Sequence, residues 1–304
     1  MKAMEMLNPV ELYVEIDDFS RKIYSELNQR GIGNGKKFEI DTPGLNLAEI
    51  LTILILYHFS NHKCFKHYYL AKVYHNYKKY FPLLPSYNRF VERISEVSFL
   101  TALFLQYRLN KFSGNGFIDS TPLSVCTNKR TNSHQVFKCI ASIGKSSKGW
   151  YYGLKLHVIC DFYGNIVKCL VTTASEHDLK IARELLDGMK GKIFADKGYI
   201  GKKEFMELLE QGLILVTSVR KNMKNRLLTL WDRILLKKRS LIESIFNVMK
   251  NVFEIEHSRH RSINNASVHI LTVLVAYCLK PNKPQIRFTN SELQLIEQID
   301  LLIN

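Results

Sequence analysis

The sequence predicts an α/β fold in which a mixed β-sheet is flanked by helices and preceded by an all-helical N-terminal domain. Apolar residues recur at helical spacing through residues 1–110, and a Ser-Gly-Asn-Gly turn at 113–116 ends this pattern. A β-hairpin pattern follows, and then strands and helices alternate, which is typical of a mixed sheet. These features predict a helical domain at 1–112, an α/β domain at 113–285 and an amphipathic helical tail at 286–304.

The composition is that of a globular protein with a large excess of positive charge. Of its 304 residues, 46% are hydrophobic, and 43 Lys and Arg against 28 Asp and Glu give a formal net charge of +15. This excess predicts a polyanionic partner, with nucleic acid ahead of an anionic membrane. The two most apolar stretches, 47–59 and 268–279, are shorter than the ~20 residues that span a bilayer. Because a signal-peptide pattern is also missing, we expect a cytoplasmic protein without a membrane partner.

The N-terminal domain carries a basic and aromatic segment between two helical patterns. Helices are predicted at 45–58 and 86–105, and between them residues 63–80 alternate Lys and His with Phe and Tyr. Several short helices with such a face fit a DNA-binding bundle. A solvated helix face that covers a small core explains the pattern equally well, so the segment alone does not decide between the two.

The elements of the α/β domain follow from its hydrophobic periodicity. A short apolar strand at 117–120 contains Asp119, and strands at 150–160 and 166–172 form a hairpin. The pattern continues with a helix at 178–189, a buried strand at 192–195 that ends at Asp196, a helix at 203–211, a strand at 213–219, a basic and loosely structured run at 220–239, and helices at 239–256 and 265–279. Two aspartates therefore lie in or directly after buried strands of one domain.

Two other patterns do not indicate function. Residues 139–146 look like a phosphate-binding loop, but Cys139 stands where that motif needs its first glycine for a tight anion cradle. Nucleotide hydrolysis is therefore not expected. The six cysteines include no C-x-x-C pair, and we expect them to be reduced thiols.

Three carboxylates have unusual surroundings. Asp119 and Asp196 follow apolar runs, where a carboxylate is costly unless cations or donors compensate it, although a capping Asp at a strand end is the simpler alternative. Glu243 shares a narrow helix stripe with Arg239 and Lys250 beside the predicted buried face, and a solvated i,i+4 ion pair is its alternative. Taken together, three carboxylates with neighbouring cations form a donor set for Mg²⁺ and suit phosphodiester chemistry.

At these residues the chain resembles bacterial insertion-sequence transposases of the DDE type, which have an RNase H-like catalytic core, and most of all insertion-sequence family 982. The motifs that carry the resemblance are FKHYY at 65–69, SYNRF at 86–90, FIDSTPL at 117–123, GLKLH at 153–157, DKGY at 196–199, RKNMKN at 220–225, RSLIE at 239–243 and HSRHRS at 257–262. A related group has a Tyr-x2-Arg-x3-Glu-x6-Lys signature. Arg239, Glu243 and Lys250 keep its spacing, whereas Leu236 replaces the tyrosine.

The resemblance implies an activity and a role for particular residues. Asp119, Asp196 and Glu243 would bind two Mg²⁺ ions, for which Mn²⁺ substitutes, and the enzyme would cut the element's ends and join their 3′-OH ends to target DNA. The implied phosphate contacts are Arg239, Lys250, Lys155, Lys197, Arg220, Lys221 and Lys224. The implied partner is double-stranded DNA, as element ends and target, with a homo-oligomer assembled on it.

Two alternatives stay open. An RNase H-like nuclease would cut DNA without joining it, and a catalytically inactive DNA-binding protein would do neither, although the presence of all three acids argues against the second. The spacing between Asp196 and Glu243 leaves no room for the β-rich insertion that some relatives have there. Hairpin-forming chemistry that depends on such an insertion is therefore not predicted.

Overall fold

The computed structural model describes residues 7–33, 37–147, 149–199, 201–217, 228–256, 260–293 and 295. The chain divides into two compact units. A helical unit contains residues 1–108 and 248–281, and a sheet unit contains residues 109–247 and 282–304. Within the described ranges, no helix is long and apolar enough to cross a membrane.

The helices and strands are numbered in chain order. The helices are α1 (Pro9–Gln29), α2 (Leu47–His58), α3 (Phe65–His67), α4 (Tyr87–Arg93), α5 (Ser98–Arg108), α6 (Asp178–Leu186), α7 (Lys202–Glu210), α8 (Leu230–Lys238), α9 (Ser240–Asn251) and α10 (Ile263–Leu279). A π-helical segment, Tyr68–Tyr77, continues α3. The strands are β1 (Asn115–Cys126), β2 (Ser142–Ser146), β3 (Gly149–Cys160), β4 (Ile166–Thr173), β5 (Gly191–Ala195) and β6 (Leu213–Thr217).

The helical unit is organised around α2, whose residues are almost all buried. Asn46 and Glu49 form a capping box at its start, in which each side chain accepts a hydrogen bond from the other's backbone N–H. Helices α1 and α10 pack against α2, and α10 also packs against α5. At the end of α2, the buried His58 ring contacts the Thr272 hydroxyl of α10 at 3.0 Å. The C-terminal helix therefore completes the core of the N-terminal helices.

The sheet unit has a mixed sheet with β3 near its middle. On one side β3 pairs antiparallel with β1 through residues 152–160, and on the other it pairs with β2 through residues 149–153 and with β4 through residues 154–160. Beyond β1, strands β5 and β6 are added in parallel. The antiparallel and parallel halves of the sheet therefore meet at β1.

Helices cover the sheet and close its core. An apolar cluster joins the sheet to α6 and α7, with Ile118 and Ile193 from the strands packed together with Ile181, Leu185 and Leu208 from the helices. Helix α8 packs against β5 and β6. Burial of these side chains fixes the helices that precede and follow the strand ends, where the predicted carboxylates lie.

The structure confirms the predicted fold class, a mixed sheet flanked by helices and preceded by a helical region. The predicted hairpin forms as β3 and β4, and the strand that carries Asp119 is longer than the sequence predicts. The sequence does not predict β2, and α8 occupies part of the run that it predicts to be loosely structured. Helix α8 forms because the Thr229 side chain caps its start and because its own side chains Ile234 and Leu235 are buried.

The predicted domains differ from the observed units in residues 248–304, of which 282–304 group with the sheet unit rather than as a separate tail. Residues 248–281 belong with the helical unit rather than with the predicted 113–285 domain, because the apolar α10 packs on α2 and α5. Of the predicted tail at 286–304, residues 290–293 and 295 are helical, and residues 294 and 296–304 lie outside the described residues.

Candidate active site

The two predicted aspartates are brought together by the parallel pairing of β1 and β5. The last pair in this ladder is Phe117 with Phe194. Asp119 and Asp196 each lie two residues beyond that pair, Asp119 inside β1 and Asp196 directly after β5, so the ladder puts them on adjacent chain segments. Consistent with this, the charge of Asp196 raises the pKa of Asp119.

This register depends on a glycine at the start of β5. The Lys192 N–H donates to the Gly114 carbonyl at 2.7 Å, which sets the first step of the ladder. Gly191 has a φ of +125° and lies directly against the same carbonyl, so that a methyl group in its place would collide with Gly114. The position of the two aspartates therefore depends on backbone pairing and not on a contact between their side chains.

Asp119 is a partly buried carboxylate with an arginine partner. Arg239 donates to its Oδ2 at 2.6 Å, and the Ser120 N–H donates to its Oδ1 at 2.8 Å. Burial nevertheless raises the pKa of Asp119 to about 6; Arg239 and the Ser120 N–H act in the opposite direction, and Asp196 raises it further. The carboxylate therefore lies in surroundings that supply less positive charge than its ionised form requires.

Arg239 links this aspartate to the predicted glutamate. One guanidinium nitrogen, Nη2, lies 3.8 Å from Glu243 Oε1, and the other, Nη1, contacts Asp119. The position of Arg239 follows from α8, which is tied to β5 by an ion pair of 3.0 Å between Asp232 and Lys192. The Glu243 side chain is 64% exposed, so packing does not fix its orientation.

The three carboxylates have the donor chemistry of a divalent-metal site. Oxygen ligands are those that Mg²⁺ and Mn²⁺ prefer, and all three side chains supply carboxylate oxygens. In the described part of the chain, however, no three His, Cys, Asp or Glu side chains are grouped closely enough to hold a metal ion. Arg239 instead occupies the position between Asp119 and Glu243. The residue types therefore fit a divalent ion. To bind such an ion together with the aspartates, the exposed Glu243 side chain would have to change its orientation.

A second polar cluster, which the sequence analysis does not identify, lies beside Asp119. Ser120 Oγ donates to Asp178 Oδ1 at 2.9 Å, and Lys155 donates to the same oxygen at 3.3 Å and to the Glu176 carbonyl at 2.8 Å. The buried His157 contacts the Thr172 hydroxyl at 3.0 Å, and burial lowers the pKa of this ring to about 4. A polar residue next to Asp119 and an aspartate opening a helix are the signals that could have indicated this cluster.

The structure places the predicted phosphate contacts very differently from one another. Lys155 is only 13% exposed and is held inside by Asp178, and Lys250 pairs with Glu256 at 3.1 Å. The sequence predicts that these two amines face DNA phosphates. In the structure, carboxylates of this chain already neutralise their charge. Lys197 is exposed directly after Asp196. Arg220, Lys221 and Lys224 lie outside the described residues.

Comparison with known families gives these residues a context. Residues 109–263, just over half of the chain, match the protein-family model described as a transposase DDE domain. The chain belongs to the DDE transposase family. Asp119, Asp196 and Glu243 all lie within the matched region.

Among solved structures, the transposase is similar to the piggyBac transposase in a cryo-EM structure of its synaptic complex with hairpin DNA. The two share 15% sequence identity with a TM-score of 0.36, over 73% of this chain and 53% of that one. The chain thus spans about half the length of the piggyBac chain, and a similarity this low supports no argument about mechanism.

Proposed function

We propose that this transposase cuts the ends of a bacterial insertion sequence, most similar to insertion-sequence family 982, and joins their 3′-OH ends to target DNA. The observation that carries the proposal is the β1–β5 register, which aligns Asp119 with Asp196, together with the Arg239 contacts to Asp119 and Glu243. The three residues come from two strands and one helix, and Arg239 connects the helix to the sheet.

The proposed cofactor is Mg²⁺, with Mn²⁺ as a substitute, held by Asp119, Asp196 and Glu243. A bound ion supplies Lewis-acid activation of the attacking oxygen and neutralises charge on the phosphate. Burial raises the pKa of Asp119 even beside Arg239, and a divalent cation would favour the ionised carboxylate further. Arg239 balances that charge until the cation binds, and its planar guanidinium then suits a phosphate oxygen.

The proposed partner is double-stranded DNA, both as element ends and as target. In the helical unit, residues 50–91 contain no Asp or Glu, and Tyr74 of the π-helical segment and Tyr80 shortly after it are exposed. Lys78 and Lys79 lie over these rings at 5.1 and 4.8 Å. Such a basic and aromatic face supports a DNA-binding role for the helical unit. We also propose a homo-oligomer on the DNA, because two element ends must be held together, in a protein that acts in the cytoplasm.

A strand-transfer assay tests the proposed function. The purified protein is incubated with Mg²⁺, a supercoiled target plasmid and a duplex carrying the DNA that borders the coding sequence. The proposal expects 3′-OH ends cut from the duplex and joined to the plasmid, and Asp119→Ala should abolish both products while still binding DNA. Cut ends without joined product would favour the nuclease, and neither product would favour the inactive DNA-binding protein.

A further inference from the structure

The connection between β1 and β3 is basic. Residues 120–160 contain no Asp or Glu at all, although acidic residues make up 28 of the 304. Within them, residues 127–150, here called the basic hairpin segment, contain five basic residues, at 129, 130, 138, 145 and 148, of which 148 is not described. The segment therefore carries a local charge of +5 without any compensating acid of its own.

The four cations of this segment that the structure describes are exposed and have no ion pair within the described ranges. Lys129, Arg130, Lys138 and Lys145 are all exposed. Within the described part of the chain, none of the four forms an ion pair, in contrast to Lys155, which Asp178 compensates. Four exposed cations without acidic neighbours raise the local positive potential, which a polyanion would lower.

The segment has a defined structure. The Asn128 side chain donates to the Trp150 carbonyl at 2.8 Å, and Phe137 is buried with 3% exposure. The Ser142 hydroxyl accepts from the Ser175 N–H at 2.8 Å and so fastens β2 beside the end of β4. A surface ordered in this way loses little conformational entropy when it binds.

One face of the β2–β3 hairpin combines a cation with exposed apolar groups. Lys145 and Trp150 are direct cross-strand partners, and the lysine amine lies over the indole at 5.5 Å. Ile143, two residues before Lys145, is on the same face, and Ile143 and Trp150 are 56% and 62% exposed. Such an edge offers charge to phosphates and an apolar contact to the sugars between them.

We propose that the basic hairpin segment binds the phosphate backbone of duplex DNA close to the cleavage site. This inference rests on the proposed function, which makes DNA the substrate of the sheet unit. The segment is an additional contact surface to the lysines and arginines that sequence motifs indicate. The segment supplies phosphate contacts that Lys155 does not, because the Lys155 amine is bonded to groups inside the unit.

The sheet register sets the distance from this surface to the carboxylates. Asp119 pairs with Val158 on β3, and Trp150 lies eight residues before Val158 on the same strand. At ~3.3 Å per residue the separation along β3 is ~26 Å. Duplex DNA rises ~3.4 Å per base pair, so ~8 base pairs cover the same length. DNA held at the carboxylates and running along β3 reaches the segment within one helical turn.

The salt dependence of DNA binding tests the proposal. Binding of the full chain to a fluorescent duplex of ~30 base pairs is measured in EDTA, which prevents cutting, across a range of KCl concentrations. The variant Lys129→Ala/Arg130→Ala should lower the slope of log K against log salt by ~2 and weaken binding about tenfold or more. Lys138→Ala/Lys145→Ala should repeat the result independently.

The matched control removes two exposed cations that are paired. Lys180 and Arg183 on α6 of the same unit are 73% and 65% exposed, and they contact Glu176 and Glu207. Lys180→Ala/Arg183→Ala should leave the slope nearly unchanged. For the aromatic contact, Trp150→Ala should weaken binding, whereas Tyr163→Ala, which removes a 69% exposed ring elsewhere in the unit, should not.

The outcomes separate this inference from the proposed function. Equal slopes for the segment variants and the α6 control would overturn it, even if the wild-type protein cuts and joins DNA. An altered molecular mass of the segment variants in solution with an unchanged slope would also overturn it, because the hairpin edge would then bind a second copy of this chain. A reduced slope in both segment variants supports it, whether or not the strand-transfer assay yields joined product.

Discussion

The sheet and the helix hold their candidate catalytic residues in different ways. Asp119 lies within β1 and Asp196 directly follows β5, and the residues that precede them, Ile118 and Ala195, are buried. Glu243 lies on α9 with a side chain that is 64% exposed, and its one contact with the cluster is the 3.8 Å approach of Arg239. The sheet therefore orders the chain segments that carry the two aspartates, whereas packing does not fix the orientation of the Glu243 side chain.

The largest expected effect is loss of cleavage when a carboxylate is removed. Asp119→Ala, Asp196→Ala and Glu243→Ala should each lower the cleavage rate by ~10³-fold or more, about 4 kcal/mol of activation free energy, because each removes a proposed metal ligand. Cleavage of end-labelled duplex in Mg²⁺ measures this. Glu184→Ala, which removes an exposed acid of α6, is the matched control and should cleave normally. Near-normal cleavage by any of the three variants would remove that residue from the site.

Substitution of Gly191 tests whether the β1–β5 register positions the aspartates. Gly191→Ala should lower the free energy of unfolding by ~2–4 kcal/mol and reduce cleavage, because the new methyl group collides with the Gly114 carbonyl and disturbs the β1–β5 register. Gly188→Ala is the control: Gly188 also has a positive φ, +71°, but open space around it. It should cost only ~1 kcal/mol, the strain of the backbone conformation. Urea denaturation compares the two, and equal losses would show that the register tolerates the substitution.

Asp119 should carry a pH-dependent cost in stability. Its pKa in the folded protein is raised to about 6, above the ordinary value of 3.8, so folding favours the protonated form. This contribution weakens the fold as pH rises from 4 towards 6. Asp119→Asn should therefore be more stable than wild type by up to ~2–3 kcal/mol above pH 6, and the difference should vanish below pH 4. Denaturation at both pH values checks this, and a pH-independent difference would contradict it.

The buried His58 and His157, one in each unit, give an effect of opposite sign. Burial lowers the pKa of His58 to about 3 and of His157 to about 4, against an ordinary value of 6.5. The unfolded chain binds these protons first, so each ring should lower stability by up to ~1.4 kcal/mol per pH unit as pH falls from 6.5 towards 4. His157→Gln should flatten this dependence in the sheet unit. An unchanged acid limb of the stability profile would show that His157 is not buried as a neutral ring.

The sequence predicts the parts of the site that depend on local patterns. An aspartate inside an apolar strand and another at a strand end are visible because two runs, at 117–118 and 193–195, flank them. The helical stripe of Arg239 and Glu243 is likewise predicted from a local pattern, the helical period of the residues around it. Along α9 the structure buries Ile242, Ile245 and Met249, on the face beside Glu243.

The features that the sequence does not predict depend on tertiary contacts. The amines of Lys155 and Lys250 are compensated by Asp178 and Glu256, and no local pattern distinguishes a lysine that meets such a partner from one that faces solvent. Helix α10 belongs to the helical unit because of its packing partners, which hydrophobic periodicity does not identify. The unpaired cations of residues 127–150 likewise become visible only when the surrounding ion pairs are known.

The most direct test of the central claim is the anomalous scattering of Mn²⁺ in crystals of the full chain. The account predicts a peak bonded to carboxylate oxygens of Asp119 and Asp196, with Glu243 turned towards it and Arg239 released from Asp119. Crystals of Asp119→Ala grown in the same conditions should lack this peak. A Mn²⁺ peak that is absent from these aspartates in the wild type, or that persists unchanged in the variant, would contradict the account.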